Sequence, residues 1–119
     1  MNNIYRSFVD SRCKSGDAIV GEMTSRQAHL LHMAVGVAGE AGELLDAIKK
    51  HTIYQKPLDL ENVEEELGDL LFYMTGLMNE LDISNLDYIT NKNTRKLTKR
   101  YSSGQYSNEQ AQNRADKEV

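Results

Sequence analysis

The sequence predicts an all-α protein of the four-helix-bundle type. Apolar residues recur at intervals of three and four over residues 25–51 and 60–81, which is the spacing of one helix face. No segment shows the strict alternation that is typical of a half-buried strand. A chain of 119 residues fits a single domain, 1–119. We expect a helical core at about residues 2–100 and a polar, extended C-terminal arm at about residues 101–119.

The N-terminal third of the chain is predicted to contain one short helix, one loop and the start of a long helix. Apolar residues keep helical spacing over residues 2–14, which predicts the first helix. Two glycines interrupt residues 14–23, so this segment is predicted to be a loop. Thr24 followed three residues later by Gln27 is a capping-box signature, and it predicts the start of the second helix, residues 25–51.

The third and fourth helices are predicted from the residues that can start and stop them. Pro57 cannot continue the second helix, so that helix ends before it. Asp59 is a suitable N-cap for a third helix at about residues 60–81. Ser84 is predicted to cap the fourth helix, at about residues 85–100.

Composition indicates an ordinary soluble protein. The chain has 14 basic and 18 acidic residues, a net charge of −4, which argues against nucleic acid as a partner. Cys13 is the only cysteine, so an internal disulfide is excluded and a reducing compartment fits. No apolar run approaches the ~20 residues of a membrane span, and the N-terminus lacks the apolar core of a signal peptide. We therefore expect a cytoplasmic protein with no membrane partner.

Two acidic pairs lie where solvent-facing charges are not expected. On the second helix, Glu40 lies about 60° and Glu43 about 120° from the centre of the apolar stripe, on the same side. On the third helix, Glu66 lies about 40° and Asp69 about 100° from the stripe centre, again on one side. If the two helices pack together, these four carboxylates can converge.

Converging carboxylates predict a bound cation, because buried like charges are unfavourable unless a positive charge joins them. Oxygen ligands favour a hard ion, Mg²⁺ or alternatively Mn²⁺, over zinc. A di-iron bundle is a rival interpretation, but it needs histidine three residues after glutamate, and Glu43 and Asp69 occupy those positions. A single Glu-x-x-Glu pair would more often be a solvated helix face, so the hypothesis depends on both pairs.

The second helix contains three glycines, each of which costs roughly 1 kcal/mol relative to alanine inside a helix. Gly36 and Gly39 share a face with Glu43, and a face without side chains allows a ligand or another backbone to approach. Close helix packing without a ligand explains them equally well. Gly42 fits neither explanation.

The fourth helix presents polar groups that could bind phosphate. Asn93 lies on its apolar line, and Lys96 and Arg100 border that line. Lysine and arginine are the usual phosphate partners in proteins. A solvated basic helix end is the plainer interpretation of these residues alone. Beside a carboxylate cluster with a cation, a polyphosphate ligand becomes the more economical one.

The segments "GEAGELLDAIKK" and "VEEELGDLLFYMTGLMNELDIS" together resemble the MazG-like all-α nucleoside triphosphate pyrophosphohydrolases. That family's signature is Glu-x-x-Glu, a spacer, and Glu-x-x-Asp, which is here Glu40, Glu43, a gap of 22 residues, Glu66 and Asp69. The segment "NTRKLTKRYSSGQYS" resembles the family's third element.

The resemblance implies hydrolysis of a (deoxy)nucleoside triphosphate to a nucleoside monophosphate and pyrophosphate, as in nucleotide-pool housecleaning. It assigns the four acidic residues to catalysis and to Mg²⁺, and it assigns Lys96, Asn93 and Arg100 to the substrate phosphates. It also implies a homodimer or homotetramer. A dUTPase-like all-α enzyme and a non-catalytic helical oligomerisation module remain alternatives.

Overall fold

The computed structural model describes residues 2–117, and it confirms the all-α class. All four predicted helices are present, and no strand occurs between residues 2 and 117. The elements in chain order are α1 Asn3–Arg12, α2 Gly16–Glu22, α3 Ser25–Thr52, α4 Leu60–Glu80, α5 Leu86–Arg100, α6 Asn108–Asn113 and a 3₁₀ turn, Ala115–Lys117, called here the C-terminal turn. None of the described helices is both long enough and apolar enough to cross a membrane.

Two segments that were predicted to lack helix contain short helices. The predicted loop forms α2, because Ser15 caps it by accepting a hydrogen bond from the backbone N–H of Ala18 at 3.1 Å. The predicted extended arm contains α6, which Ser107 caps by accepting from the N–H of Gln110 at 3.0 Å. In both cases a serine N-cap outweighs local composition, since it satisfies a backbone donor that would otherwise have no partner.

The predicted boundaries of the long helices are mostly confirmed. Both hydrogen bonds of the capping box at Thr24 and Gln27 form, at 3.1 and 3.0 Å. Asp59 accepts from the N–H of Asn62 at 3.1 Å, next to the start of α4. The predicted cap of the fourth helix is wrong: Asn85, one residue after Ser84, accepts from the N–H of Tyr88 at 3.0 Å.

The chain forms two compact units, divided between Met74 and Thr75. In the first unit, α3 and α4 lie antiparallel and very close together. The ring of Tyr73 lies against Gly36, where an added Cβ would come within 2.2 Å of the ring. His32 lies one turn before Gly36 on α3, with its ring centroid 6.3 Å from that of Tyr73.

Few side chains are fully buried in this single chain. Met33 and Ala47, each 7% exposed, form the buried apolar core among the residues whose exposure the structure describes. By contrast, Leu45 on α3 is 68% exposed and Phe72 on α4 is 67% exposed, although these are the two longest helices. The helices therefore carry more apolar surface than this chain covers by itself.

Candidate functional site

Three of the predicted acidic residues meet between α3 and α4. Glu40 and Glu43 lie one turn apart on α3, and Glu66 lies opposite them on the antiparallel α4. Each contributes a carboxylate oxygen, and these three oxygens all lie within 4.8 Å of one another. The spacing of three residues places both α3 carboxylates on the same side of the helix, as the sequence predicted. We call this group the acidic trio.

The electrostatics of the acidic trio are unfavourable without a positive charge. Oε2 of Glu40 and Oε2 of Glu66 are buried and have no hydrogen-bond partner among the described residues. The pKa of Glu66 is raised to about 7, first by the side chain of Glu40, which shares a proton with it, and then by burial and by the charge of Glu43. Ionised carboxylates are acceptors only, so a cation or a proton must lie between these oxygens.

The fourth predicted ligand, Asp69, lies one turn after Glu66 on α4 and is exposed. It does not belong to the acidic trio. Asp46 also lies on α3, but it does not belong to the acidic trio. It forms ion pairs with Lys50 at 3.0 Å and Lys49 at 3.6 Å, and these pairs lower its pKa. A pair of lysines therefore neutralises Asp46, whereas the acidic trio has no such partner.

The helical glycines divide into two kinds. Gly36 allows the close approach of Tyr73, so packing explains it. A Cβ added at Gly39 or Gly42 would meet no described atom within 4 Å. The face of α3 that continues toward Glu43 is therefore open, and it has room for a ligand or for another chain.

In the second unit, the predicted phosphate-binding residues lie along α5. Asn93 and Lys96 line a cavity of about 410 Å³, which we call the lysine cavity. Its other lining residues are Ile89, Lys92, Asp116 and Lys117. Asn93 also lines a second cavity, of about 390 Å³, together with Tyr101 and Tyr106, whose ring centroids are 5.3 Å apart. Arg100 forms an ion pair with Asp116, with 2.5 Å between Nε and Oδ1.

Comparison with known proteins shows which family the chain belongs to. Residues 27–104 match the model of the MazG nucleotide pyrophosphohydrolase domain. The chain belongs to the MazG family. It is also 35% identical over 81 residues to the "Gene 37 protein" of Mycobacterium phage L5, an alignment that covers 63% of this chain and 68% of the phage protein. No solved structure gives a significant match.

The MazG match includes all seven residues that the sequence singled out, but it ends before the C-terminal turn. Sequence reasoning missed Asp116 and Lys117 as neighbours of the basic residues on α5. The only local signal is an alternation of charge in "RADKEV", which is too common on protein surfaces to be informative. The contact of Asp116 with Arg100 joins residues 16 positions apart, so no helical period could predict it.

Proposed function

We propose that this protein hydrolyses (deoxy)nucleoside triphosphates between the α and β phosphates. The products are a nucleoside monophosphate and pyrophosphate. The observation that carries the proposal is the acidic trio, in which three carboxylate oxygens lie within 4.8 Å of one another and two of the residues have a buried oxygen without a partner. Membership of the MazG family supports the reaction class.

The donor atoms of the acidic trio suit a hard divalent cation, and Mg²⁺ is the ion that we propose, with Mn²⁺ as a substitute. Glu40, Glu43 and Glu66 would hold it, and Asp69 would join them from the next turn of α4. Such an ion, when bound, offsets phosphate charge and makes a coordinated water more acidic. A carboxylate of the same cluster accepts the proton of the attacking water as general base.

The basic residues of α5 supply the charge that the substrate phosphates need. Lys96, Asn93 and Arg100 would donate hydrogen bonds to the phosphate oxygens, and the two bases offset their negative charge. Lys96 and Asn93 line the same cavity, which supports their binding one phosphate chain together. These residues bind and orient the substrate, while the acidic residues serve the reaction itself.

We also propose that the working form is a homodimer or homotetramer. The support is the exposed apolar surface of α3 and α4, because large exposed patches on a chain of this size mark interaction surfaces. Light scattering of the purified protein measures the oligomeric state. A monomer at micromolar concentration would contradict this part of the proposal.

The test of the reaction uses the wild-type protein, Mg²⁺ and a panel of nucleoside triphosphates that includes dUTP. In ¹⁸O-labelled water, the label should enter the monophosphate. Label found only in pyrophosphate would move the attack to the β phosphorus. Orthophosphate and a diphosphate as products would refute the proposal.

The breadth of hydrolysis across the panel separates the biological roles. Hydrolysis of several triphosphates supports a role in nucleotide-pool housecleaning. Hydrolysis of dUTP alone supports a dUTPase-like enzyme. If no triphosphate is hydrolysed and Mg²⁺ leaves the melting temperature unchanged, the protein is a non-catalytic oligomerisation module.

A further inference from the structure

The C-terminal turn packs against α5 within the second unit. Two of its residues contact the basic surface of that helix. Asp116 accepts a hydrogen bond from Arg100, and Lys117 lines the lysine cavity beside Lys92 and Lys96. The turn lies outside the stretch that matches the MazG family model, so these contacts are an addition of this chain to the matched domain.

The ion pair between Asp116 and Arg100 is well shielded from water. The side chain of Asp116 is 1% exposed and that of Arg100 is 16% exposed. Oδ1 accepts from Nε of Arg100 at 2.5 Å, while Oδ2 is buried and has no partner among the described residues. The contact is therefore not a bidentate one, and this carboxylate does not occupy the two Nη groups of Arg100, whose guanidinium also has a side-chain hydrogen bond with Tyr101.

This geometry differs from that of a solvent-exposed surface pair. A buried carboxylate on one edge of a planar guanidinium fixes the orientation of the whole group, since the five N–H donors form a rigid fork. The pair also raises the pKa of Arg100 and lowers the pKa of Asp116, mainly through their shared hydrogen bond, so both groups stay charged at neutral pH.

We propose that the C-terminal turn completes the phosphate-binding site of this chain. Asp116 positions Arg100, and Lys117 binds the phosphate chain as a third ammonium group beside Lys92 and Lys96. This inference rests on the proposed function, because it takes the anion in the lysine cavity to be the triphosphate of the substrate. It adds two residues to the site that the family match does not contain.

The competing explanation is that Asp116 blocks the site by occupying Arg100 in place of a phosphate. The two explanations differ in the sign of one effect. Asp116→Asn removes a negative charge near the cavity, which by simple electrostatics should strengthen the binding of an anion. If Asp116 positions Arg100, the same substitution replaces a charge-assisted hydrogen bond with a weaker one to an amide oxygen, so the guanidinium is held less firmly and anion binding weakens.

The experiment measures the binding of inorganic tripolyphosphate to the full chain by calorimetry, with EDTA present so that no metal takes part. We expect Asp116→Asn to weaken binding roughly tenfold, the usual effect of losing a hydrogen bond to a charged group, and Lys117→Ala to weaken it about threefold or more. Glu109→Gln is the control for Asp116→Asn, because both remove one negative charge from the same arm. Arg114→Asn is the control for Lys117→Ala, because both remove one positive charge. Neither Glu109 nor Arg114 lines the cavity. Asparagine also suits the left-handed backbone at position 114, where φ is 52°.

A double substitution separates positioning from a general structural role. In an Arg100→Ala background, Asp116→Asn should cause no further loss, because the group that it positions is gone. In hydrolysis assays, Asp116→Asn should raise KM more than it lowers kcat. Melting curves of each variant confirm that the chain is folded.

Several outcomes would overturn the inference. The first is tighter or unchanged binding of tripolyphosphate by the Asp116→Asn variant. The second is equal binding by Lys117→Ala and its control, Arg114→Asn. The third is a further loss of binding when Asp116→Asn is added to Arg100→Ala. Failure of the wild type to hydrolyse any triphosphate would instead contradict the proposed function, and the tripolyphosphate measurements would still show whether the turn binds anions.

Discussion

Replacing Gly36 with alanine should destabilise the protein, although alanine favours a helix over glycine. The added Cβ would lie 2.2 Å from Cδ1 of Tyr73 and 2.4 Å from both Cε1 and Cγ. Carbon atoms that are not bonded prefer separations of about 3.5–4.0 Å, so the ring must move by more than about 1 Å. Overpacking of this kind costs about 1–3 kcal/mol, and the helix preference of alanine returns roughly 1 kcal/mol. We therefore expect a net loss of up to about 2 kcal/mol.

The assay is thermal unfolding followed by circular dichroism, in which 1 kcal/mol shifts the midpoint by about 3–6 °C for a chain of this length. Gly39→Ala and Gly42→Ala are matched controls, since their added Cβ meets no described atom within 4 Å. Each should gain about 0.5–1 kcal/mol. In a Tyr73→Ala background, Gly36→Ala should become stabilising as well. If Gly36→Ala raises the midpoint in the wild-type background, the close contact between α3 and α4 is wrong.

Three further predictions concern the site. Glu43→Gln and Asp69→Asn should each lower turnover at least about tenfold with Mg²⁺ saturating, whereas Asp46→Asn should keep the wild-type rate because Asp46 pairs with lysines outside the cluster. Lys96→Ala should raise KM for the triphosphate and leave the affinity for Mg²⁺ without nucleotide unchanged, as calorimetry can measure; loss of metal binding would contradict its assignment to phosphate. The pKa of Glu66 is raised to about 7, so the folded metal-free protein binds an extra proton below that pH. The melting temperature of the metal-free protein should therefore rise as pH falls from about 8 to 5, while the stabilisation by Mg²⁺ fades. Glu66→Gln should make the metal-free melting temperature less dependent on pH. An unchanged pH dependence in this variant would show that Glu66 is not the group that titrates.

The long helices could be predicted because their signals are local and repeated. The apolar period and the capping box at Thr24 both act within a few residues, and the structure confirms them. The two glycines in the segment that forms α2 predict a loop, but the side chain of Ser15 satisfies a backbone donor there and the segment is helical. The start of α5 was misplaced by one residue because Ser84 and Asn85 are both good caps, and only geometry decides between them.

The candidate site could be predicted only in part, for a physical reason. Helical period places Glu40, Glu43 and Glu66 on facing sides of two helices, and the antiparallel arrangement brings them together. The period does not decide how far a residue about 100° from the stripe centre reaches inward, and Asp69 is exposed and lies outside the acidic trio. The contact of Asp116 with Arg100 is non-local, so no periodic pattern encodes it.

The glycine that permits close packing and the three carboxylates of the acidic trio belong to the same helix pair. Gly36 lies one turn before Glu40 on α3, and Tyr73 lies two turns after Glu66 on α4. The separation of the helices at Gly36 therefore limits how far apart the facing carboxylates can be. Glutamate side chains from both helices can share one ion only if the two backbones are close. A side chain at position 36 would push the helices apart and so remove this condition. Close packing at Gly36 thus helps to explain the geometry of the acidic trio. A substitution at this position should weaken the binding of Mg²⁺ at the proposed site along with stability, although Gly36 is not itself one of the proposed metal-binding residues.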